Sequence, residues 1–187
     1  MFYAGRSLTV LLIVSLLVMA SCTKEFHVFP IKKYIIPQNG MYPSLPANST
    51  FWAKRKPYLD IDDIKRGDII VFYQIIDQKT YDFVWRVIGV PGDVIQVSDM
   101  TVSINGSPLS HKKTEETAEQ IIFKEKNGDV EYRVAYNKEP PSTSARNIVR
   151  LTIPQNEFFV LGDNRDNASD SRFRGTVAYK RVIGKKL

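Results

Sequence analysis

Cysteine, histidine and long apolar runs are scarce in this chain of 187 residues, and each scarcity excludes a class of protein. The single cysteine, Cys22, allows no internal disulfide. The two histidines, His27 and His111, are far apart in sequence, and no His/Cys cluster stands at metal-ligand spacing. We therefore expect no metal and no cofactor. His27 near the N-terminus and His111 in a polar segment also argue against a Ser-His-Asp triad.

The basic residues exceed the acidic ones, with a formal net charge of +6 at pH 7, but they are spread through mixed segments. One small cluster, Lys180, Arg181, Lys185 and Lys186, is typical of a solvated surface and is also compatible with weak attraction to anionic lipid headgroups. The sequence shows no basic helix, no aromatic RNA-binding motif and no zinc spacing. We expect no nucleic-acid partner.

The N-terminus indicates where the protein resides. The apolar run from Ser7 to Ala20 is shorter than the ~20 residues that span a bilayer, but it suits the core of a secretory signal. Ala20 and Ser21 directly before Cys22 resemble a bacterial lipobox. Residues 1–21 are therefore predicted to be a lipoprotein-type signal peptide, cleaved before a lipid-modified Cys22. A buried structural cysteine or an uncleaved anchor is the alternative.

Short runs of β-branched and aromatic residues, separated by Gly, Pro and Asn turns, predict an all-β fold with little helix. Lys126-Asn127-Gly128-Asp129 predicts a hairpin, after which Val130, Tyr132, Val134 and Tyr136 fall on one face of a strand. Only Ser110–Gln120 is compatible with a helix. Residues 22–36 are predicted to be a tether. The predicted strands are 51–53, 69–73, 83–88, 94–97, 102–104, 121–124, 130–136, 148–153 and 158–161.

The most specific motif is the segment Gly162–Arg172, GDNRDNASDSR, which we call the scaffold loop. It follows the apolar run Phe158–Leu161, and its Asn, Asp and Ser side chains favour turns over helix or strand. Its Asp and Arg side chains can pair in fork geometry. Such a density of pairable groups at a strand end predicts a rigid scaffold beside a site.

The scaffold loop resembles the GDNRDNSxDSR signature of type I signal peptidases, the membrane-bound Ser-Lys endopeptidases that remove signal peptides. Further matches follow in the family's order. They are Gly40–Leu45 (nucleophile motif), Arg66–Phe72 (RGDIVVF-like strand), Arg86–Asp93 (lysine motif without its first residue) and Ile104–Gly106 (a later turn). The resemblance implies a signal-peptidase-I-like β-fold over residues 37–187, with an inserted β subdomain at about 107–150. Asp163, Asn164, Arg165, Asp170 and Arg172 would be scaffold residues.

Four positions depart from the family pattern. The nucleophile position holds Gly40, the lysine base is replaced by Trp85, the oxyanion-stabilising serine by Gln38, and the lysine-supporting serine by Ala168. Glycine has no oxygen and an indole nitrogen has no basic lone pair. Loss of a protease nucleophile alone costs about 10⁶ in kcat. We therefore expect no catalytic residue at these four positions.

Two of these substitutions also have purely structural interpretations. Asn39-Gly40 is a strong turn dipeptide, so Gly40 is also explained by its backbone freedom. Trp85 lies in an apolar strand, where an aromatic side chain is ordinary core material. The alternative is that the indole fills the former lysine pocket and offers a stacking surface to a ligand. A peptide groove would then include Met41, Tyr42 and Trp85.

Taken together, the residues and the resemblance predict an inactive signal-peptidase-I-like lipoprotein of the bacterial envelope, anchored to the membrane through Cys22 outside the cytoplasm. Its expected partners are signal peptides, other extended peptides or an active signal peptidase. One alternative is an endopeptidase with residual or rewired activity, using Ser44 with a basic residue such as Lys33, Lys54 or Arg55. Another is a structural lipoprotein that binds no peptide.

Overall fold

A computed structural model describes residues 30–56, 60–142 and 145–187. The strands are β1 (Ile31–Ile35), β2 (Thr50–Arg55), β3 (Ile69–Ile76), β4 (Lys79–Gly89), β5 (Val94–Ser98), β6 (Thr101–Ile104), β7 (Ser107–Pro108), β8 (Ser110–Glu116), β9 (Gln120–Asn127), β10 (Val130–Asn137), β11 (Asn147–Thr152), β12 (Glu157–Leu161), β13 (Val177–Ala178) and β14 (Val182–Lys186). One short α-helix, α1 (Ser171–Arg174), and two 3₁₀ turns, Ile61–Asp63 and Tyr179–Arg181, complete these ranges. The all-β prediction is confirmed.

The largest sheet has seven strands in the order β1-β2-β14-β3-β4-β12-β13. Its longest ladder is the β3–β4 hairpin, which pairs Ile69 with Arg86 at one end and Ile76 with Lys79 at the other. Asp77 and Gln78 form the turn with positive φ angles of 48° and 62°, as a two-residue hairpin turn of the primed type requires. This hairpin places Trp85 and Arg86 at the centre of the sheet.

Two smaller sheets cover the other end of the molecule. One has the order β11-β5-β6-β7 and the other β10-β9-β8. The predicted hairpin turn is confirmed, since Asn127 pairs with Val130 and Gly128 has a φ of 61°. The three-stranded sheet lies inside the predicted insertion at 107–150, whereas β11 pairs with β5, which precedes that insertion in sequence.

The apolar residues form two clusters. One is built mainly from residues of the large sheet and includes Met41, Phe72, Trp85, Phe158 and Ala168. The other lies beneath the smaller sheets and includes Ile88, Ile95, Tyr132, Val134 and Phe159. Strand β12 supplies both clusters, with Phe158 facing one and Phe159 the other, because successive side chains of a strand point to opposite faces. The scaffold loop therefore starts where the two clusters meet.

Two local expectations are wrong, and one strand was not predicted. Ser110–Gln120 is not helical, because β8 occupies Ser110–Glu116 and pairs with β9, and the ladder prevails over the helix propensity of its Lys and Glu residues. The tether does not extend to residue 36, because Ile31–Ile35 pairs with β2. Strand β14 was not predicted; its Gly184 and lysines are weak strand formers, but β2 and β3 pair with it on both sides.

The described residues include no helix that is long and apolar enough to cross a membrane. The predicted signal peptide, Cys22 and the first part of the tether lie outside those residues, and their assignment stays a prediction.

Candidate functional site

Gly40 and Trp85 lie against each other, although 45 positions separate them in the sequence. A Cβ atom built on Gly40 would stand 2.6 Å from Trp85 Cη2 and 2.7 Å from Cζ3. Real Cβ atoms almost never come so close to another heavy atom. The indole ring therefore occupies the space that any side chain at position 40 would need.

Ala168 and Gly162 complete this contact from the scaffold loop. A Cβ on Gly162 would collide with Ala168 Cβ and would lie 2.6 Å from the Gly40 carbonyl oxygen and 3.0 Å from Trp85 Cζ3. Trp85 is 8% exposed and Ala168 6% exposed, and both belong to the core cluster of the large sheet. The structure thus brings Gly40, Trp85 and Ala168 together.

The chemistry available at these positions is limited. Gly40 and Ala168 offer no polar side-chain atom, and the Trp85 indole is a hydrogen-bond donor only. Gln38 is exposed on the rim beside them. Ser44, the hydroxyl considered for a rewired enzyme, donates to the Arg133 carbonyl oxygen at 3.4 Å and accepts from Arg86 Nη2 at 3.2 Å. An arginine side chain stays protonated in proteins, so this neighbour cannot serve Ser44 as a base.

Arg86, directly after Trp85, fixes the start of the scaffold loop. Its Nε and Nη2 donate to the two carboxylate oxygens of Asp163 at 2.8 and 2.7 Å, and its Nη1 donates to the Gly67 carbonyl at 2.7 Å. Burial lowers the pKa of Arg86, but the Asp163 carboxylate outweighs burial and raises that pKa above its usual value. The bidentate pair holds the guanidinium over the Tyr132 ring, 4.0 Å from its centroid.

Asn164 ties the scaffold loop to the backbone at Gly40. Its N–H donates to the Gly40 carbonyl at 3.0 Å, and its Nδ2 donates to the Asn39 carbonyl at 3.1 Å. Asn164 is 2% exposed, so both hydrogen bonds are shielded from water. The conformation of the Asn39-Gly40 turn is therefore determined by the loop.

Arg165 is the most deeply buried cation of the scaffold loop. It donates to both oxygens of Glu125 at 3.1 and 2.6 Å and to the Tyr136 hydroxyl at 3.1 Å, while Tyr132 donates to Glu125 at 2.6 Å. Burial lowers the pKa of Arg165, but the charge of Glu125 prevails and raises it well above its usual value. This network joins the loop to β9 and β10.

Two further ion pairs close the loop. Arg146 donates to both oxygens of Asp166 at 2.9 and 2.6 Å. Arg172 donates to both oxygens of Asp170 at 2.9 and 2.8 Å, in the fork geometry expected for Asp and Arg residues of this loop. Asp170 also accepts the Gly162 N–H at 2.9 Å, so the two ends of the loop are held together.

A cleft of about 310 Å³, which we call the Trp85 cleft, opens beside Gly40. One wall is the segment Ile36–Met41 and the other is Tyr81–Trp85 of β4, with Asn167, Ser169 and Arg174 at one end. Met41 lines it, although it is 2% exposed, and Tyr42 does not, so the expected groove includes only part of the predicted set. Tyr81, Phe83 and Arg174 were not predicted, because only the register of β4 shows that they share this wall.

The β4 wall is an open sheet edge. Strand β3 pairs with residues Lys79–Arg86 of β4. On the other side of β4, strand β12 pairs only with Arg86–Gly89. Within the described residues, no strand pairs with Lys79–Trp85 on that side. A strand edge of this kind presents backbone donors and acceptors to an extended peptide.

The described residues contain no group of three or more His, Cys, Asp or Glu side chains arranged to hold a metal ion.

The scaffold loop holds the Asn39-Gly40 turn beside an apolar cleft, which is the arrangement implied by the resemblance to type I signal peptidases. The family model described as "Signal peptidase, peptidase S26" matches residues 6–187. The chain belongs to this family, and the resemblance inferred from the motifs is confirmed.

Individual relatives agree with this assignment. The chain is 30% identical over 185 residues to a signal peptidase I of Pseudomonas fluorescens, with 84% of this chain covered. It spans 63% of that relative's length. It is also 31% identical over 157 residues to a signal peptidase IB of Staphylococcus aureus (strain COL), covering 84% of this chain and 76% of the relative. A crystal structure of a signal peptidase I from Enterococcus faecalis V583 matches with a TM-score of 0.38 and 26% identity, over 65% of this chain and 94% of that one.

Proposed function

We propose that this member of the signal peptidase family does not cleave peptides and instead binds extended peptides in the Trp85 cleft. The observation that carries the proposal is the contact between Gly40 and Trp85. The position that would hold the hydroxyl nucleophile has no side chain, and the position that would hold the amine base holds the ring that fills the resulting space.

The chemistry of the Ser-Lys mechanism supports this proposal. A hydroxyl attacks a peptide carbonyl only when a neighbouring base accepts its proton. In this chain both groups are absent from the predicted positions, and Gln38 and Ala168 replace the two supporting serines. Loss of a protease nucleophile alone costs about 10⁶ in kcat, so catalysis through these positions should be undetectable.

Peptide binding is supported by the walls of the Trp85 cleft. The open edge of β4 can hydrogen-bond an added strand, and the apolar side chains of Phe83, Val84 and Trp85 can accept apolar residues of that strand. Asp82 and Arg174 place one charge of each sign on the same walls. Candidate ligands are therefore signal peptides or other extended apolar peptides, either free or presented by an active signal peptidase.

The location proposed for this activity is the bacterial cell envelope, on a membrane and outside the cytoplasm, with lipid-modified Cys22 as the anchor. The support is the sequence alone. Cys22→Ala should leave the precursor unprocessed and unlabelled by radioactive palmitate, whereas Ser21→Ala should be processed normally. Normal processing and membrane retention of the Cys22→Ala protein would exclude the lipid anchor.

Activity is tested with the purified full chain in detergent. Incubated with a fluorogenic signal-peptide substrate beside an active signal peptidase, it should show no turnover, while the uncleaved peptide should bind with a measurable Kd. If the chain instead cleaves the substrate at a rate within about 10³-fold of the active enzyme, and Ser44→Ala abolishes that cleavage, the chain is a rewired endopeptidase. Absence of both turnover and binding would favour a purely structural lipoprotein.

A combined variant tests whether the site is an eroded Ser-Lys site. Gly40→Ser, Trp85→Lys, Ala168→Ser and Gln38→Ser together should place a hydroxyl beside an amine, with the lysine pKa lowered by burial. We expect weak cleavage at best, because misplacement by ~1 Å can cost 10²-fold. Each single change is the matched control and should give none. Equal cleavage by a single variant would contradict this account.

A further inference from the structure

A second cleft, of about 670 Å³, lies on the other side of the Asn39-Gly40 turn, and its walls are dominated by side-chain amides. Five of its lining residues are Asn39, Gln120, Asn137, Asn164 and Asn167. We call it the amide cleft. Neither the proposed catalytic loss nor the Trp85 cleft accounts for this concentration of one functional group.

Four of these amides form a closed hydrogen-bonded cluster. Gln120 Nε2 donates to Asn137 Oδ1 at 2.9 Å and to Asn164 Oδ1 at 3.1 Å. Asn167 Nδ2 donates to the same two oxygens at 3.0 and 2.9 Å. Each of the two acceptor oxygens thus receives two hydrogen bonds, which fixes the orientation of every amide in the cluster.

The cluster retains hydrogen-bonding capacity that faces the cleft. Gln120 Oε1, Asn167 Oδ1 and Asn137 Nδ2 have no partner among the described residues, and none of the three residues is buried. Two acceptors and a donor are therefore held in place on residues that line the cleft, of which Gln120 and Asn137 are half-buried and Asn167 is exposed. Amide groups of this kind complement the N–H and C=O groups of a peptide and its uncharged polar side chains.

The backbone beneath the cluster is rigid. The N–H of Asn137 donates to Asp166 Oδ2 at 2.9 Å, and its carbonyl accepts from Arg146 Nη2 at 3.0 Å. The same Arg146 side chain pairs with Asp166. A ligand would therefore meet a preorganised surface, which lowers the entropic cost of binding.

The amide cleft adjoins the Trp85 cleft. Asn167 lines both clefts, and the Asn39-Gly40 turn forms the boundary, with Asn39 facing one cleft and Gly40 the other. A chain that leaves the apolar cleft past Gly40 therefore enters a region of neutral polar groups. Glu119, Lys138 and Glu139 on its walls carry both signs of charge, so no single charge on the ligand is favoured.

We infer that the amide cleft binds the polar segment of the same extended peptide whose apolar segment occupies the Trp85 cleft. The ligand class is thus a peptide in which an apolar stretch is directly followed or preceded by uncharged polar residues such as Ser, Asn and Gln. This inference rests on the proposed function, because it assigns the second half of the ligand of that site.

Three synthetic peptides, labelled with a fluorophore and measured by anisotropy with the full chain in detergent, test it. One has an apolar core alone, and the other two carry a Ser/Asn/Gln extension at the N- or the C-terminal end of that core. One extended peptide should bind about two- to tenfold tighter than the core peptide, which is the contribution expected from about one net hydrogen bond. Equal affinities for all three peptides would overturn the inference and leave the proposed function intact.

Variants identify the surface responsible. Gln120→Ala and Asn137→Ala, on separate strands, should each remove most of the gain of the extended peptide without changing the affinity for the core peptide. Gln96→Ala, an exposed amide on β5 away from both clefts, is the matched control and should change neither. Equal loss for core and extended peptides would show a general structural effect and contradict the assignment. If no peptide binds the wild-type chain at all, the proposed function itself fails.

Discussion

The scaffold loop and the contact it supports differ sharply in chemical content. The loop contains four carboxylate–arginine interactions, through Asp163, Arg165, Asp166 and Asp170, each with geometry suited to charge-assisted hydrogen bonds; three are buried and the Arg146–Asp166 pair is partly buried. The contact between Gly40 and Trp85 contains only a glycine backbone and an indole ring. The loop ties β4 of the large sheet to β9 and β10, whereas the contact between Gly40 and Trp85 involves no polar side chain, so the loop should contribute more to the stability of this region. Retention of this loop is therefore evidence about stability and not about catalysis.

The largest effect should come from breaking the loop at Arg165. In Arg165→Ala the fully buried Glu125 loses its cationic partner, and leaving a buried charge unpaired costs about 3–5 kcal/mol of the free energy of unfolding. Urea denaturation followed by circular dichroism measures this cost. Arg133→Ala is the matched control, because its pair with Glu115 is exposed and should contribute about 1 kcal/mol or less. Equal losses of unfolding free energy in the two variants would show that the buried ion pair of the loop stabilises the protein no more than an exposed surface pair does.

A smaller effect should come from adding atoms to the contact. Gly40→Ala places a methyl group against the indole ring, and overpacking of this kind costs about 1–3 kcal/mol. In a Trp85→Leu background the colliding ring atoms are gone, so the same substitution should be nearly neutral. The double-mutant cycle, measured by urea denaturation, should give a coupling of about the same 1–3 kcal/mol. Additive effects would show that the two residues are not in contact.

The smallest effect concerns pH and a carboxylate outside both regions. Burial raises the pKa of Asp93, but hydrogen bonds from Arg66, Val90 and Asn105 outweigh it and hold that pKa below its usual value. A carboxyl whose folded-state pKa is depressed stabilises the protein above its unfolded pKa of about 4. That contribution is lost as pH falls from there through the folded-state pKa.

Asp93→Asn should therefore flatten the fall in the free energy of unfolding below about pH 4, as seen in thermal denaturation at a series of pH values. Asp129→Asn, in the exposed turn between β9 and β10, controls for the loss of one negative charge. An unchanged pH profile in Asp93→Asn would mean that the hydrogen bonds around Asp93 do not contribute to the pH dependence of the free energy of unfolding.

Strands with strong alternation were predictable from the sequence, and strands stabilised by their neighbours were not. In β10 three of the four residues predicted to share a face, Tyr132, Val134 and Tyr136, are buried, whereas Val130, at the end next to the turn, is exposed. In β8 every residue except His111 is exposed, so its sequence contains no buried face to detect. Its strand conformation comes from pairing with β9, a contact between segments that a local pattern cannot report.

The candidate site was predictable only as far as the resemblance reached. The motifs identified Gly40, Trp85 and Ala168 as a set, and the structure places them together. The amide cleft was not predicted, because Gln120 and Asn137 come from two strands of the insertion and meet Asn164 only after the loop folds. Nothing in the local sequence around either residue signals that meeting.

The interlock of Gly40 with Trp85 has a consequence for how this sequence can change. A serine introduced at position 40 alone collides with the ring, and a lysine introduced at position 85 alone leaves a void and no hydroxyl to serve. Each first step toward a Ser-Lys pair should therefore lower the free energy of unfolding without providing both a hydroxyl and an amine. Selection for protease activity from single-codon libraries of this chain should recover no cleaving variant at either position, and activity through this pair would require both codons to change at once.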